Sequence, residues 1–591
     1  MSEQRHYYTD EKNAQIVIAL LKAHGIRKII ANPGTTNIAI VGSVQNDPWF
    51  QVYSGIDERH SAYMAVGMAA ESGEPVVLSC TGATASRNYY SALTEAYYRK
   101  LPILALTSIH HMNSAGNLLP QMLDRTVQPK DIVRYSLQCP VPVTNAQIAD
   151  CELNVNKAIL ELFRHGGGPV HINLETERGF TFNTQELPSV RVLKRYDYHT
   201  AYWPELPKGK RIAVWVGNHK PFSAFVKNAI EDFARAHNAA IFVDKTSSYD
   251  GCGAVDASIL GHQTGTWSNP RYKHLRPDVV IHIGEVNGDY ESFGVFAAAE
   301  QFWRVNEDGE ARDLMGKLTN VFEVSECDFF NHYKTERDEG LRYADELNRA
   351  VCNLRRRMPE IPFSNIWIAS QLSTKLPQGS CIHLGILNSL RSWNLFALPE
   401  GVASICNTGG FGIDGCLSTL VGASLASPQK LFFAVLGDLA FFYDVNSLGN
   451  RHIGNNIRIL LVNNNCGGEF NLYSHPGHQF GERTNDFIAA GGHFNKNPSD
   501  LVRHYAQDLG FKYLSARNKD EFIAAVDQFV GNNMDQPVIF ECFTTHSDES
   551  IALDKVNNID PYDNLSHSPI NVVKEFVPRR VKNVIKAAMG K

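Results

Sequence analysis

The sequence predicts an α/β protein of three domains with parallel sheets, and three observations carry that prediction. Short apolar segments alternate with helical patterns through the first third of the chain. Near-continuous apolar runs recur in the last third, as expected of strands covered on both faces. The length, 591 residues, is more than one core organises.

Residues 27–31, 74–80, 101–108 and 170–174 read as strands separated by helices, which implies parallel βαβ units over a domain spanning 1–186. A Pro-rich, charged passage near 186–210 reads as a linker. It opens a second block, 187–345, with strands expected at 211–217, 240–244 and 278–284, followed by a charged helical stretch over 334–357. The third block, 346–548, carries strands at 430–436, 457–463 and 537–543. Residues 549–591 read as a basic C-terminal extension, most simply a solvated helix.

Net charge is −6, so no global basic field exists to attract nucleic acid. The polar N-terminus lacks the apolar core of a signal peptide. No apolar run reaches the roughly 18 residues needed to span a bilayer. The best candidate, 431–443, is broken by Asp438. Eleven cysteines without a CxxC pair point to reduced thiols and a cytoplasmic protein, and away from a thiolate metal site.

Two stretches carry chemistry. Gly437-Asp438 follows an apolar strand, at the end where α/β folds bind ligands. A second apolar strand ends in Asn463-Asn464-Asn465-Cys466. As parallel neighbours they bring Asp438 and Asn464 together, and a loop carbonyl adds a third hard oxygen, a Mg²⁺ or Ca²⁺ donor set. Gly437, Gly467 and Gly468 let backbone N–H groups approach a diphosphate. Gly-Asp alone would read as a strand turn with a capping aspartate. The other stretch, Asp57-Glu58-Arg59, would alone read as a charge cluster at a helix start.

The pair Gly437-Asp438-Leu439 and Asn463-Asn464-Asn465 resembles the signature of thiamine diphosphate enzymes, Gly-Asp-Gly followed by Asn-Asn, with Leu439 in place of the second glycine. That variant is similar to the SEPHCHC synthase branch, the 2-succinyl-5-enolpyruvyl-6-hydroxy-3-cyclohexene-1-carboxylate synthases of the menaquinone pathway. Glu58-Arg59, Thr81 to Ala85, Asn88, Asn388-Ser389-Leu390 and Gly412 to Thr419 extend the resemblance in the same order, over roughly residues 10 to 548. It implies a pyrimidine-binding, a central and a diphosphate-binding domain, in that order.

The resemblance also implies roles. Asp438, the Asn464 side chain and the Cys466 carbonyl would ligate Mg²⁺. Asn388, Ser389, Gly437, Leu439 and Ala440 would surround the diphosphate. Ile413 would be the apolar wedge that bends the cofactor, with Gly412 beside the aminopyrimidine and Pro33 and Asn88 on the opposing wall. Glu58 would hydrogen-bond the pyrimidine N1′ and favour the imino form whose N4′ takes the C2 proton. The superfamily builds each site from two subunits, which implies a homodimer or homotetramer.

Arginines that grip carboxylates in that branch are replaced here. Its Pro-Gly-Ser-Arg is Pro33-Gly34-Thr35-Thr36; its Thr-Ala-Asp-Arg is Thr107-Ser108-Ile109-His110; its Asn-Ser-Leu-x-x-Arg ends at Trp393; its Asn-Arg-Gly is Asn407-Thr408-Gly409. A Lys-Arg pair aligns with Asp289-Tyr290. Thr or Trp does not replace bidentate recognition. Glu469, after the metal loop, is an added carboxyl and a candidate acid or base; His110 is a second catalytic candidate, with His111, His475 and His478 behind it, and Gln121 and Asp124 as substrate-side candidates.

The expected activity is a Mg²⁺-dependent 2-oxo acid decarboxylase or carboligase, a lyase or transferase passing an acyl carbanion equivalent to an acceptor carbonyl. Its substrates are expected to differ from those of SEPHCHC synthase. An acetolactate-synthase-like enzyme using pyruvate, with a flavin in the central block, and a non-enzymatic cofactor-binding scaffold are the alternatives. Nucleic acid and membrane partners are not expected.

Overall fold

Sheet formation begins with strands whose side chains are apolar on both faces. In the strand Ile103–Ile109 every residue is buried. Ile103 and Ala105 join one apolar cluster with Ala62, Ala65, Tyr89 and Leu93, while Leu104 and Leu106 join another with Ile16, Leu20, Val155 and Ile159. Alternate residues thus feed two cores, which is why the run reads as continuously apolar.

The computed structural model describes residues 7–177, 180–263, 270–494 and 498–561. Within them the chain forms two compact units: one runs to Tyr196 and includes Leu318–Val321, and the other comprises Asp197–Lys317 and the chain from Phe322 onward.

The first unit holds a six-stranded sheet in the spatial order Gln51–Ser54, Lys28–Ala31, Val76–Cys80, Ile103–Ile109, Val170–Glu175, Tyr135–Cys139. All its pairings are parallel. The second unit holds another six-stranded parallel sheet, ordered Ala403–Cys406, Cys381–Leu384, Phe432–Gly437, Ile457–Asn463, Val538–Phe543, Lys512–Ala516. Counted along each block, both sheets read 2-1-3-4-6-5. In both, the order reverses between the first and third strands, so the loops that follow those strands border a switch-point crevice. The second unit also contains parallel strands in the order Ala254–Asp256, Ala240–Val243, Ile212–Val216, Val279–Ile283, Gln301–Val305. The expected α/β class with parallel sheets holds.

Three expectations change. The passage 186–210 contains a strand, Lys194–Asp197, and the charged stretch 334–357 is helical only over Arg342–Arg356. The chain after 548 does not stand apart at once. The helix His546–Asn557 packs on the third block, where the Glu549 carboxylate accepts the Asn365 backbone N–H at 2.9 Å and the Thr544 hydroxyl at 2.9 Å. The rest of the expected extension, from 562, lies outside the described residues. No helix among the described residues is long and apolar enough to cross a membrane.

Two predictions follow from this packing. Gly217 ends the strand Ile212–Val216, and a Cβ there would lie 2.1 Å from the Glu285 carbonyl oxygen, a backbone atom that no rotamer change can move. Gly217→Ala should therefore lose about 1–3 kcal/mol, the cost of overpacking, read as a lower urea midpoint. Burial pushes the Glu549 carboxyl up from 4.5 to about 7. Between those values the folded chain keeps a proton that the unfolded chain has released, so this group makes stability fall as pH rises through that window. Glu549→Gln should flatten that slope in denaturation curves taken from pH 4.5 to 7.

Candidate active site

In the first unit, Asn32 follows the strand Lys28–Ala31 and is buried. Its Nδ2 donates to the Gly55 carbonyl at 2.8 Å and to Ser61 Oγ at 2.9 Å, and its Oδ1 accepts the Tyr89 hydroxyl at 2.9 Å. One amide, using both donors and its acceptor, joins the Pro33 turn, the loop before Glu58 and the segment after Asn88. Motif spacing does not show this. Pro33 itself is exposed beside Asn32.

Glu58 is the first residue of the helix Glu58–Ser72, capped by the Asp57 carboxylate, which accepts the His60 N–H at 3.0 Å. Glu58 is half-buried, and its Oε2 accepts Asn88 Nδ2 at 3.2 Å. The structure therefore brings these two predicted residues together. Asn88 closes the short helix Thr84–Asn88, which Ala83 enters at φ 56°, a left-handed conformation costly for a residue with a Cβ.

His110 sits after the strand Ile103–Ile109, and no hydrogen bond or ion pair joins it to Glu58; its buried Nδ1 has no hydrogen-bond partner among the described residues. Other candidates serve local structure. Asp124 accepts the Thr126 N–H and hydroxyl, at 2.9 and 2.6 Å, and His475 Nδ1 accepts the Gly477 N–H at 2.9 Å. His111 faces Glu175 at 3.5 Å. The ring of His478 packs edge-on against Tyr473.

In the second unit the expected cofactor residues converge on the switch point of its six-stranded sheet. Gly437 pairs with Val462 across neighbouring strands, which sets Asp438 beside the Asn463 to Cys466 turn. Asp438 starts the helix Asp438–Tyr443 and is 5% exposed. Burial pushes its carboxyl up to about 7, against the opposing pull of the N–H groups of Asp438, Leu439 and Asn465. Ala440 is buried and Leu439 half-buried on the same short helix.

The three asparagines divide their work. Asn463 is tied through Nδ2 to the fully buried Glu541 at 2.7 Å. Asn464 turns its Oδ1 to the Cys466 N–H at 3.3 Å. Asn465 takes φ 63°. A Cβ on Gly468 would meet Asn464 Nδ2 at 2.6 Å and Asn388 Nδ2 at 3.3 Å, so the loop after Cys466 and the helix Asn388–Asn394 meet here.

Asn388 and the buried Ser389 follow Leu387, another strained residue at φ 61°. Gly412 and Ile413 are half-buried, with Ile413 against the apolar core. Their loop leads into the helix Cys416–Ala426, which Asp444 anchors by accepting the Ser418 N–H and hydroxyl at 2.6 Å each.

The donor set fits the expected group. Asp438 and Asn464 supply hard oxygens beside the Cys466 backbone, the chemistry of Mg²⁺ rather than of a soft metal. A Cβ on Gly437 would point into open space, as a cradle for a diphosphate requires. Among the described residues, no cluster of three His, Cys, Asp or Glu side chains offers another metal site.

Glu469, expected as a candidate acid or base, is engaged within the chain: Arg391 donates Nη1 to its Oε2 at 2.8 Å and Nη2 to its Oε1 at 2.9 Å. The arginine expected at 393 is a fully buried Trp393, yet a guanidinium enters from two positions earlier. Arg391 was visible in the Asn-Ser-Leu-Arg segment, but its pairing was not.

Residues 11–128 match the family described as thiamine pyrophosphate enzyme, N-terminal TPP binding domain. The chain is 31% identical over 560 residues to the 2-succinyl-5-enolpyruvyl-6-hydroxy-3-cyclohexene-1-carboxylate synthase of Phocaeicola vulgatus, covering 92% of this chain and 98% of that protein. The synthase of the same name from Bacteroides fragilis is 31% identical over 563 residues, with the same coverage. That from Flavobacterium johnsoniae is 25% identical over 567 residues, covering 91% of this chain and 97% of the relative. A chain with this strand order, this Asp438 to Cys466 loop and this end-to-end similarity belongs to the thiamine diphosphate-dependent enzymes, in the family of the 2-succinyl-5-enolpyruvyl-6-hydroxy-3-cyclohexene-1-carboxylate synthases.

Proposed function

We propose that the protein is a thiamine diphosphate- and Mg²⁺-dependent 2-oxo acid decarboxylase and carboligase, joining the acyl carbon of a 2-oxo acid to an acceptor carbonyl with loss of CO₂. The observation that carries this reading is the convergence of Asp438, Asn464, Asn388 and Gly468 on one strand-end crevice. Its substrates differ from those of the relatives, because Thr36, His110, Trp393, Thr408 and Asp289 stand where the branch has basic residues.

When bound, thiamine diphosphate supplies the carbanion chemistry that side chains lack. Asp438, the Asn464 side chain and the Cys466 carbonyl would hold the metal. Asn388, Ser389, Gly437, Leu439 and Ala440 would receive the diphosphate, Gly412 and Ile413 would orient the rings, and Pro33 and Asn88 would serve the pyrimidine side. Glu58 holds or releases a proton at its carboxyl, and Asn88 fixes the direction in which that carboxyl points. His110, with an unpartnered Nδ1, is the second proton-carrying group in this reading.

The assembly is a homodimer or homotetramer. Ile56, 86% exposed beside Glu58, and Leu118, 99% exposed, support a surface that another chain covers. The compartment is the cytoplasm, supported by eleven free thiols.

Glu58→Gln should lower kcat by about 10²–10⁴, the range for a lost proton-transfer group, while calorimetry shows thiamine diphosphate binding retained; wild-type turnover in that variant would refute the role. Asp438→Ala should abolish Mg²⁺-dependent thiamine diphosphate binding, read by the same titration with and without chelator.

A further inference from the structure

Arg391 presents a planar fork of donors, the geometry that recognises a carboxylate through two parallel hydrogen bonds. That fork is occupied by a residue of the chain itself. Glu469 takes Nη1 and Nη2 at 2.8 and 2.9 Å, Nη1 also donates to Asn388 Oδ1 at 2.8 Å, and Nε lies 3.7 Å from Glu291 Oε1. The two side chains are 12% and 20% exposed, so the pair is largely shielded from water and salt.

The pair stands at the crevice. Glu469 directly follows Gly468, where an added Cβ would meet the Asn464 and Asn388 side chains, and Arg391 holds the Asn388 side chain by its oxygen. Tyr290 lies within electrostatic reach of both Glu469 and Arg391, and its ring meets that of Phe411 at 5.2 Å. A free carboxylate entering here competes with a tethered one whose effective concentration is on the order of millimolar or more. It also faces the acidic Glu291.

We infer that Glu469 is a specificity-determining residue: it plugs the Arg391 fork and excludes 2-oxo acids that carry a second carboxylate, selecting donors with uncharged side chains. The inference rests on the 2-oxo acid reading above only for its consequence in donor choice, because the plug itself is a binding property. It also gives Arg391 a defined task, that of a positioning residue for Asn388.

The test is calorimetry on the protein loaded with thiamine diphosphate and Mg²⁺, using glutarate, a dicarboxylate that carries no 2-oxo group, and butyrate. Glu469→Gln should bind glutarate at least tenfold more tightly than the wild type, with butyrate changed by less than twofold. Glu469→Ser, which removes the carboxylate with less bulk, should show the same gain. Adding Arg391→Gln to either variant should remove it. The ratio of kcat/KM for 2-oxoglutarate to that for 2-oxobutyrate should rise at least tenfold in Glu469→Gln. A glutarate affinity unchanged in both single variants, or a gain that survives loss of Arg391, overturns the inference. A glutarate gain that depends on Arg391, in a protein that turns over no 2-oxo acid, would uphold the plug and refute the proposed reaction instead.

Discussion

The register between the strands that flank each switch point decides where the polar groups of the crevice end up. Ala31 pairs with Ser79, Leu384 with Val435, and Gly437 with Val462. Each pair lies at or near the end of an apolar run, so the polar residues that follow emerge together at the carboxyl ends of the strands: Asn32 level with Cys80, just before Thr81, and Asp438 level with Asn463, just before Asn464. A slip of one residue would turn every buried side chain of such a strand to the opposite face. Two cores, one on each side of the sheet, forbid that slip, and the apolar packing thereby fixes the chemistry.

Some of the backbone strain sits in loops that follow strands of these two sheets: Ala83, Leu387, Phe411 and Asn465 take positive φ without being glycine. Such conformations cost of order 1–3 kcal/mol each and persist only where surrounding contacts over-determine them. Here those contacts are visible: Asn463 on Glu541, Asp444 on Ser418, Asn365 on Glu549. These buried polar pairs supply no chemistry of their own. They hold the loops that do.

The buried central strands were legible because their residues face two cores and read as unbroken apolar runs. The edge strands were not. Gln51–Ser54, Ala403–Cys406 and Lys512–Ala516 are half-exposed and mixed in character, and nothing local separates them from loops. The same division runs through the site. Asp438 and Asn464 are neighbours through a strand pairing that a motif can signal. The hold of Asn32 on Gly55 and Tyr89, and of Arg391 on Glu469, joins loops far apart in the chain, and a single sequence gives no sign of it. That is why Glu469 looked like an unengaged acid.

The shared wiring of the two six-stranded sheets has a consequence for how the chain is made. Parallel sheets close through distant contacts and are slow to pair. Two sets of strands with one connection order, released together, would offer each other wrong partners. The central strands separate them in time. The last strand of the first sheet ends at Glu175 and the first strand of the other begins at Cys381. At synthesis rates of about 5–20 residues per second, that spacing gives the first sheet on the order of tens of seconds to close before its counterpart leaves the ribosome.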